Sequence, residues 1–233
     1  MPTAFNLTLS TPDGEFGAYV AAPVKTPAPA IVVIQEIFGV NAVMRQIADR
    51  FAARGYLAVC PDLFWRIEPG IDITDQSEAD WKRAFELFNA FDVEAGLKDI
   101  GATIDAIRTD PRCNGKVGAV GFCLGGLLAC LTAVRTDADA SVGYYGVGLE
   151  RYTAEAEKLV NPLLLHVAEE DQFTPKPARD LILAALKNHP QIEIFTYPGR
   201  DHAFARPGGE HYDAADAALA ESRTLDFFKR ILG

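Results

Sequence analysis

The feature that most constrains the fold is a sustained alternation of short apolar strand-like runs with helix-like segments. Residues 30–34 read Ala-Ile-Val-Val-Ile, a run without polar alternation that is typical of a strand buried on both faces. Residues 93–109 repeat apolar side chains at spacings of four and three, which predicts one continuous helical face. Strands that alternate with helices of this length favour an α/β fold with a mostly parallel sheet and helices on both faces.

The same patterns predict the individual elements. An antiparallel hairpin is expected at the N-terminal edge of the sheet, formed by residues 4–9 and 16–21. The remaining strands are expected at 56–60, 117–120, 140–145, 163–167 and 192–197, and the helices at 42–53, 77–90, 93–109, 124–134, 176–188 and 212–231. In the last helix, the side chains expected to face inward are Ala214, Ala218, Leu225, Phe228 and Ile231. No composition shift marks a boundary, so we predict a single domain over 1–233.

Composition excludes several function classes. The chain has 233 residues, 49% of them hydrophobic, and a formal net charge of −10, which favours a folded core and disfavours nucleic-acid binding. No apolar run approaches the ~18 residues of a membrane span, and residues 1–15 lack the pattern of a signal peptide. We therefore expect a cytoplasmic protein that binds neither membrane nor nucleic acid. The four cysteines form no CxxC pair, so we expect free thiols and no metal site.

The most informative motif is Gly-Phe-Cys-Leu-Gly-Gly at 121–126, between an apolar strand and an apolar helix. This is the strand–turn–helix context of a nucleophile elbow. Gly121 and Gly125 allow the strand and helix backbones to pass closely, and the turn lifts the side chain of Cys123 above the sheet edge. The helix N-terminus favours a thiolate and offers backbone N–H groups to an oxyanion. The alternative is a glycine-rich turn with a structural cysteine.

A cysteine nucleophile needs a base, and the histidine in the right context is His202. It follows a predicted strand, in a loop at the sheet edge that carries the elbow. We expect His166 to be a satisfied core histidine, His189 to lie at a helix end, and His211 to be solvated.

The orienting acid is expected after the strand at 163–167, because the chain order in such hydrolases is nucleophile, acid, histidine. Asp171 is the preferred candidate and Glu170 the next, with Glu169 also adjacent. The alternative is a solvated acidic turn.

Glu36 ends the buried strand at 30–34, where we expect it to lie beside the elbow and hold the thiol of Cys123 neutral. Backbone N–H groups of Leu124 and Ile37 would then form the oxyanion hole. The alternative for Glu36 is a helix-capping role.

At this point the sequence resembles the dienelactone hydrolase family of the α/β-hydrolase superfamily. The motifs that carry the resemblance are QEIFGVN at 35–41, GYLAVCPDLF at 55–64, AFDVEAGLKDI at 90–100, GKVGAVGFCLGG at 115–126, GYYGVGLE at 143–150 and DHAFARPG at 201–208. The resemblance implies a Cys123–His202–Asp171 triad, with Glu36 as the resting partner of the thiol. It also implies cofactor-free hydrolysis of an enol-lactone such as carboxymethylenebutenolide (dienelactone) to maleylacetate, a step in the catabolism of chlorinated aromatics.

In the family, arginines hold the substrate carboxylate, and Arg206 matches the one after the catalytic histidine. Trp81 stands where the family has its other arginine, with Arg83 two residues away, and Phe85 and Phe88 replace Tyr and Trp. We therefore expect a more apolar pocket. The residues assigned to substrate binding are Arg206, Arg83, Trp81, Phe85, Phe38 and Tyr145. We expect a monomer. The alternatives are a hydrolase of other lactones or activated esters, and a non-catalytic thiol-sensing homologue.

Overall fold

The computed structural model describes residues 4–233. Its backbone contacts group into two compact units, Met1–Gly118 and Ala119–Gly233. The single domain over 1–233 stays a prediction. The predicted absence of a signal peptide rests partly on residues 1–3, which lie outside the described residues.

The described residues of the first unit, 4–118, form four complete strands and three helices. They are β1 (Leu7–Thr11), β2 (Gly14–Ala21), β3 (Ala28–Ile34), α1 (Ala42–Ala53), β4 (Leu57–Pro61), α2 (Glu78–Ala90) and α3 (Val93–Arg108). The strands are ordered β1-β2-β4-β3. The pairs β1/β2 and β2/β4 are antiparallel, whereas β3 and β4 are parallel. The predicted antiparallel N-terminal edge is therefore confirmed.

The second unit contains the end of one strand and three further strands. Its elements are β5 (Cys113–Phe122, which starts in the first unit), α4 (Leu124–Arg135), β6 (Ala140–Tyr144), β7 (Leu163–Ala168), α5 (Lys176–Leu186), β8 (Ile192–Tyr197) and α6 (Ala214–Leu232). Two short 3-10 helices, Leu149–Arg151 and Thr153–Lys158, connect β6 to β7. The strand order is β5-β6-β7-β8, and β6, β7 and β8 pair in parallel. The α/β class with mostly parallel pairing is confirmed.

Burial explains why the parallel strands lack polar alternation. Every residue of β4 and of β6 is buried, as expected for strands covered on both faces. Helix α4 is apolar on nearly all sides and is buried over most of its length, because it packs against β6 and neighbouring elements. Among residues 4–233, no helix is long and apolar enough to cross a membrane.

The predicted inward face of the last helix is partly wrong. Ala214 and Ala218 are exposed, whereas Phe228 is buried as predicted. The buried residues of α6 are Ala220, Thr224, Phe227, Phe228 and Leu232. The face was misjudged because one of its central members is a polar threonine.

Candidate active site

Cys123 occupies a strained turn between β5 and α4. Its backbone angles are φ 57° and ψ −116°, in the left-handed half of the map, where residues with a side chain rarely lie. A Cβ on Gly121 would lie 1.9 Å from the carbonyl oxygen of Gly125, and one on Gly126 would lie 2.3 Å from that of Tyr144. Close backbone approach therefore requires glycine at 121, as the sequence motif indicates, and also at 126.

The strained turn is held by backbone hydrogen bonds. The N–H of Cys123 donates to the carbonyl oxygen of Tyr144 at 3.1 Å, which pins the nucleophile candidate to the end of β6. The carbonyl of Cys123 accepts from the N–H of Gly126 at 2.9 Å and thereby starts α4. Cys123 thus lies at a helix N-terminus, where the helix dipole favours negative charge. Leu124 is the first residue of α4, and a helical N–H at that position has no partner within its own helix.

Three residues other than glycine have positive φ within residues 4–233. They are Cys123 (57°), Tyr145 (37°) and Ala203 (62°). Cys123 and Tyr145 flank the ends of adjacent strands, and Ala203 follows the predicted base. Backbone strain of this kind persists where the surrounding structure enforces it, and it is commonly concentrated at functional sites.

Asp171 and His202 are brought together by the loops that follow β7 and β8. The Nδ1 of His202 lies 2.9 Å from the Oδ2 of Asp171, and both side chains are nearly fully buried. The other carboxylate oxygen, Oδ1, accepts from the N–H groups of Phe173 at 2.8 Å and Thr174 at 3.2 Å. These bonds leave Asp171 fixed in one orientation. Glu170, the alternative acid, is exposed.

The hydrogen bond to Asp171 fixes the orientation of the imidazole. A buried carboxylate accepts, so Nδ1 of His202 donates and Nε2 points away from the acid. Nε2 is buried and has no hydrogen-bond partner of normal geometry among the described residues. Nε2 is therefore the nitrogen through which a proton can pass to or from a reacting group.

The charges and hydrogen bonds around His202 raise its pKa more than burial lowers it. Burial lowers the pKa of His202, but the charge of Cys123, hydrogen bonds with Asp171 and Cys123, and the charge of Asp171 raise it to about 10. With a pKa of about 10, the imidazole of His202 carries a proton at neutral pH.

Two aromatic rings enclose the imidazole. The rings of Tyr145 and Phe173 meet that of His202 edge to face, with centroids 5.0 Å and 4.9 Å away. Such contacts limit rotation of the imidazole and exclude water from its faces. Phe173 was not among the predicted site residues, and the only sequence signal for it is its position two residues after the acid.

The remaining histidines have structural partners. His166 is fully buried and bonds Tyr197 Oη through Nδ1 (2.7 Å) and Thr224 Oγ1 through Nε2 (2.9 Å). Burial, then the charge of Arg223, lowers the pKa of His166 well below its usual value. His166 is thus the satisfied core histidine that the sequence predicts. The Nδ1 of His189 accepts a bond from the N–H of Gln191 just beyond α5.

The other three cysteines are free thiols in structural positions. Cys60 lies in β4, Cys113 begins β5, and Cys130 lies within α4, and all are buried. Burial raises the pKa of the Cys130 thiol to about 12 and raises that of Cys60 further. A thiol that stays neutral is a poor nucleophile, so neither of these two competes with Cys123.

Glu36, Ile37 and Phe38 lie in the first unit, directly after β3, and all are buried. The helix that follows, α1, is capped by Asn41, whose side-chain oxygen accepts from the N–H of Met44, so the capping alternative for Glu36 is wrong. Its predicted role toward the Cys123 thiol, and that of the Ile37 N–H, stay predictions.

Three of the aromatic residues assigned to the substrate form a cluster on α2 and after β3, whereas Tyr145 lies in the second unit against His202. The Trp81 ring contacts Phe38 edge to face and stacks on Phe85, with centroids 5.1 Å and 5.6 Å away. Trp81 Nε1 donates to the carbonyl oxygen of Asp75, which fixes the ring. Within the first unit, this cluster is apolar, as the sequence indicates.

The two arginines assigned to the substrate differ in setting. Arg206 lies in the second unit, four residues after His202, and is only 7% exposed. Burial of a charged guanidinium is unfavourable unless the charge is paired, so a buried arginine usually has a specific partner. Arg83 instead pairs with Glu68 and Glu86 at a half-buried position of the first unit. These pairs occupy its guanidinium and weigh against a role in gripping substrate.

Comparisons with known proteins agree with the fold. The dienelactone hydrolase family matches residues 16–232. A candidate carboxymethylenebutenolidase of Azospirillum brasilense is 49% identical, over 95% of this chain and 96% of that protein. The carboxymethylenebutenolidase of Pseudomonas putida is 45% identical, over 95% of this chain and 94% of its own.

A solved structure of a candidate dienelactone hydrolase from Klebsiella pneumoniae has a TM-score of 0.83 at 26% identity. The alignment covers 95% of this chain and 96% of that one. The fold is therefore the α/β-hydrolase fold, and the relatives indicate hydrolysis of a lactone or ester. The chain belongs to the dienelactone hydrolase family.

Proposed function

We propose that this enzyme opens an enol-lactone such as dienelactone, giving maleylacetate, by nucleophilic catalysis through Cys123, His202 and Asp171. The observation that carries the proposal is the buried Asp171–His202 hydrogen bond, together with the charge of Cys123 acting on the same imidazole. The named relatives support lactone hydrolysis in general.

The first half-reaction forms a thioester. The Cys123 thiolate attacks the lactone carbonyl carbon, and the carbonyl oxygen becomes an oxyanion near the N–H of Leu124. The ring C–O bond then breaks, and the protonated His202 gives its proton to the enol oxygen that leaves. The imidazole is neutral after this step, and the acyl group remains on sulfur.

The second half-reaction regenerates the enzyme. Neutral His202 accepts a proton from water as the water oxygen attacks the thioester carbon. The C–S bond breaks, the thiolate returns, and the acid product is released. Asp171 stabilises the imidazolium in this step and holds its ring in orientation, without taking the proton.

The test is hydrolysis of a panel of lactones and p-nitrophenyl esters at neutral pH. Cys123→Ala should lower turnover on the order of 10⁴-fold or more, as expected for removal of a nucleophile. Cys113→Ala is the matched control and should keep most of the activity, because Cys113 only begins β5. In acid-quenched wild-type enzyme, mass spectrometry should find the acyl adduct on Cys123. Substantial turnover by Cys123→Ala would refute the proposal.

The alternative of a preference for neutral esters is favoured by one observation, the apolar cluster of Phe38, Trp81 and Phe85. The same panel separates the two, because a preference for p-nitrophenyl esters over lactone carboxylates would favour the alternative.

We also propose that the enzyme is a cytoplasmic monomer that binds no nucleic acid and no membrane.

A further inference from the structure

Asp201 joins the loop that bears the acid to the loop that bears the base. Its Oδ1 accepts from the N–H of Gln172 at 2.9 Å and from the N–H of His202 at 2.6 Å. Gln172 directly follows the acid, and His202 directly follows Asp201. One carboxylate oxygen therefore binds the backbone next to both members of the Asp171–His202 pair.

The second oxygen of Asp201 makes looser contacts. Oδ2 lies 3.5 Å from Nε2 of Gln172 and 3.6 Å from Nε2 of His211. Nε2 of Gln172 and Nε2 of His211 lie 3.4 Å apart, so the three side chains form one group at the loop junction. Asp201 is partly buried, with 27% of its side chain exposed.

We propose that Asp201 is a positioning residue, which keeps Asp171 at hydrogen-bonding distance from His202 by tying their two loops together. The inference rests on the proposed Cys123–His202–Asp171 triad. Asp201 does not contact the reacting atoms, and it acts only through the placement of its neighbours.

The physical argument is one of precision. The 2.9 Å bond between His202 and Asp171 joins two loops that follow different strands, β8 and β7. Loops move more than the elements they connect, so the distance between acid and base depends on contacts that span the two loops. Charge-assisted hydrogen bonds from a carboxylate to backbone N–H groups are among the strongest such contacts. A misplacement of catalytic groups by about 1 Å can lower the rate roughly 10²-fold.

The test compares Asp201→Ala with Asp201→Asn. The alanine variant removes both acceptors, and its kcat should fall about 10- to 100-fold with little change in KM. The asparagine variant keeps an oxygen that can accept both N–H groups, so it should restore most of the lost kcat. Asp180→Ala, at an exposed ion pair of α5, is the matched control and should behave as wild type.

A purely structural role of Asp201 would leave the pKa of His202 unchanged. If the hydrogen bonds of Asp201 keep Asp171 in contact with His202, Asp201→Ala should shift the alkaline limb of kcat/KM to lower pH, and Asp201→Asn should not. In the second unit, His202 is faced by the titratable groups of Asp171, Cys123 and Tyr145 and by the ring of Phe173. Of these, Asp171 is the group whose contact the tie controls.

Wild-type kcat and pH profile in a folded Asp201→Ala would overturn the proposal, as would equal losses in the alanine and asparagine variants. If the alanine variant does not fold, Asp201→Ser, whose hydroxyl can accept one bond, should lie between wild type and His202→Ala. A serine variant with wild-type kcat would then refute the tie. His202→Ala, assayed in parallel, tests the triad itself, because wild-type activity in that variant refutes the proposed function. Loss of activity in His202→Ala together with wild-type kcat in Asp201→Ala refutes only the positioning role of Asp201.

Discussion

The pKa of the His202 imidazole is set by opposing influences. Burial disfavours the imidazolium, while the charge of Cys123 and the bond to Asp171 favour it, and the pKa rises to about 10. A histidine whose pKa is raised by folding stabilises the folded state fully below its unfolded pKa of about 6.5. We therefore expect the stabilisation from His202 to be lost as pH rises from that value through about 10.

The pH dependence of turnover should reflect the same pKa of His202. In the proposed mechanism the imidazolium protonates the leaving oxygen, so kcat/KM should fall on an alkaline limb near the pKa of about 10. Asp171→Asn removes a carboxylate charge and should lower kcat while it shifts this limb to lower pH. Asp180→Asn, which removes an exposed carboxylate of α5, is the control and should leave the limb in place. An unshifted limb in a less active Asp171→Asn would mean that Asp171 does not set the acidity of His202.

Some site residues could be predicted from the sequence because their chemistry is local. Cys123 is marked by the glycines around it, and His202 and Asp171 by their positions after strands. Phe173 and Asp201 could not be predicted in this way, because their contacts exist only when the loops after β7 and β8 meet. Nothing in the sequence near either residue specifies its partner.

At the scale of elements, the site depends on how closely β5 and α4 approach. A Cβ on Gly121 would lie 1.9 Å from the carbonyl oxygen of Gly125, and backbone cannot move aside as a flexible side chain can. Gly101 in α3 has open space at the same position. The two glycines therefore serve as a matched pair for glycine-to-alanine substitution.

Gly121→Ala should destabilise the protein by about 1–3 kcal/mol or more, the range of overpacking, and should lower kcat by displacing Cys123. Gly101→Ala should stabilise it by about 0.5–1 kcal/mol, because alanine loses less backbone entropy in a helix interior. Urea denaturation of the three proteins measures both changes. Equal stability of Gly121→Ala and wild type would show that the elbow tolerates a wider turn.

Elements with a clear pattern could be predicted at their bounds, and those shaped by tertiary contacts could not. Helix α1 and strand β8 have the predicted limits, since a capping asparagine and a compact strand run mark them. Strand β5 begins four residues earlier than predicted, at Cys113 and not at 117, because its first residues are polar and partly exposed. The inward face of α6 was misjudged because Thr224 is buried by its bond to His166, a contact between distant parts of the chain.

At the scale of the whole molecule, the net charge of −10 acts on any anionic substrate. Like charge slows the approach of a lactone carboxylate, although screening weakens this beyond a Debye length of ~8 Å. A carboxylate substrate therefore needs a local cation. A guanidinium suits this task, because it can bind a carboxylate through two parallel hydrogen bonds.

Arg206 is the arginine that the family resemblance assigns to this task, and its burial sets it apart from a solvated surface residue. Arg206→Ala should raise KM for a lactone carboxylate far more than KM for a neutral p-nitrophenyl ester, because only the former loses a charge partner. Arg83→Ala should have a smaller effect of the same sign, since Glu68 and Glu86 already occupy its guanidinium. Steady-state kinetics on both substrates at two salt concentrations separates the local contact from the long-range field: the field weakens with salt, whereas the contact of a buried arginine is screened much less. If Arg206→Ala changes both KM values equally, Arg206 does not recognise the carboxylate. An enol-lactone acid would then no longer be the preferred substrate, while the proposal of cysteine-dependent hydrolysis would stand.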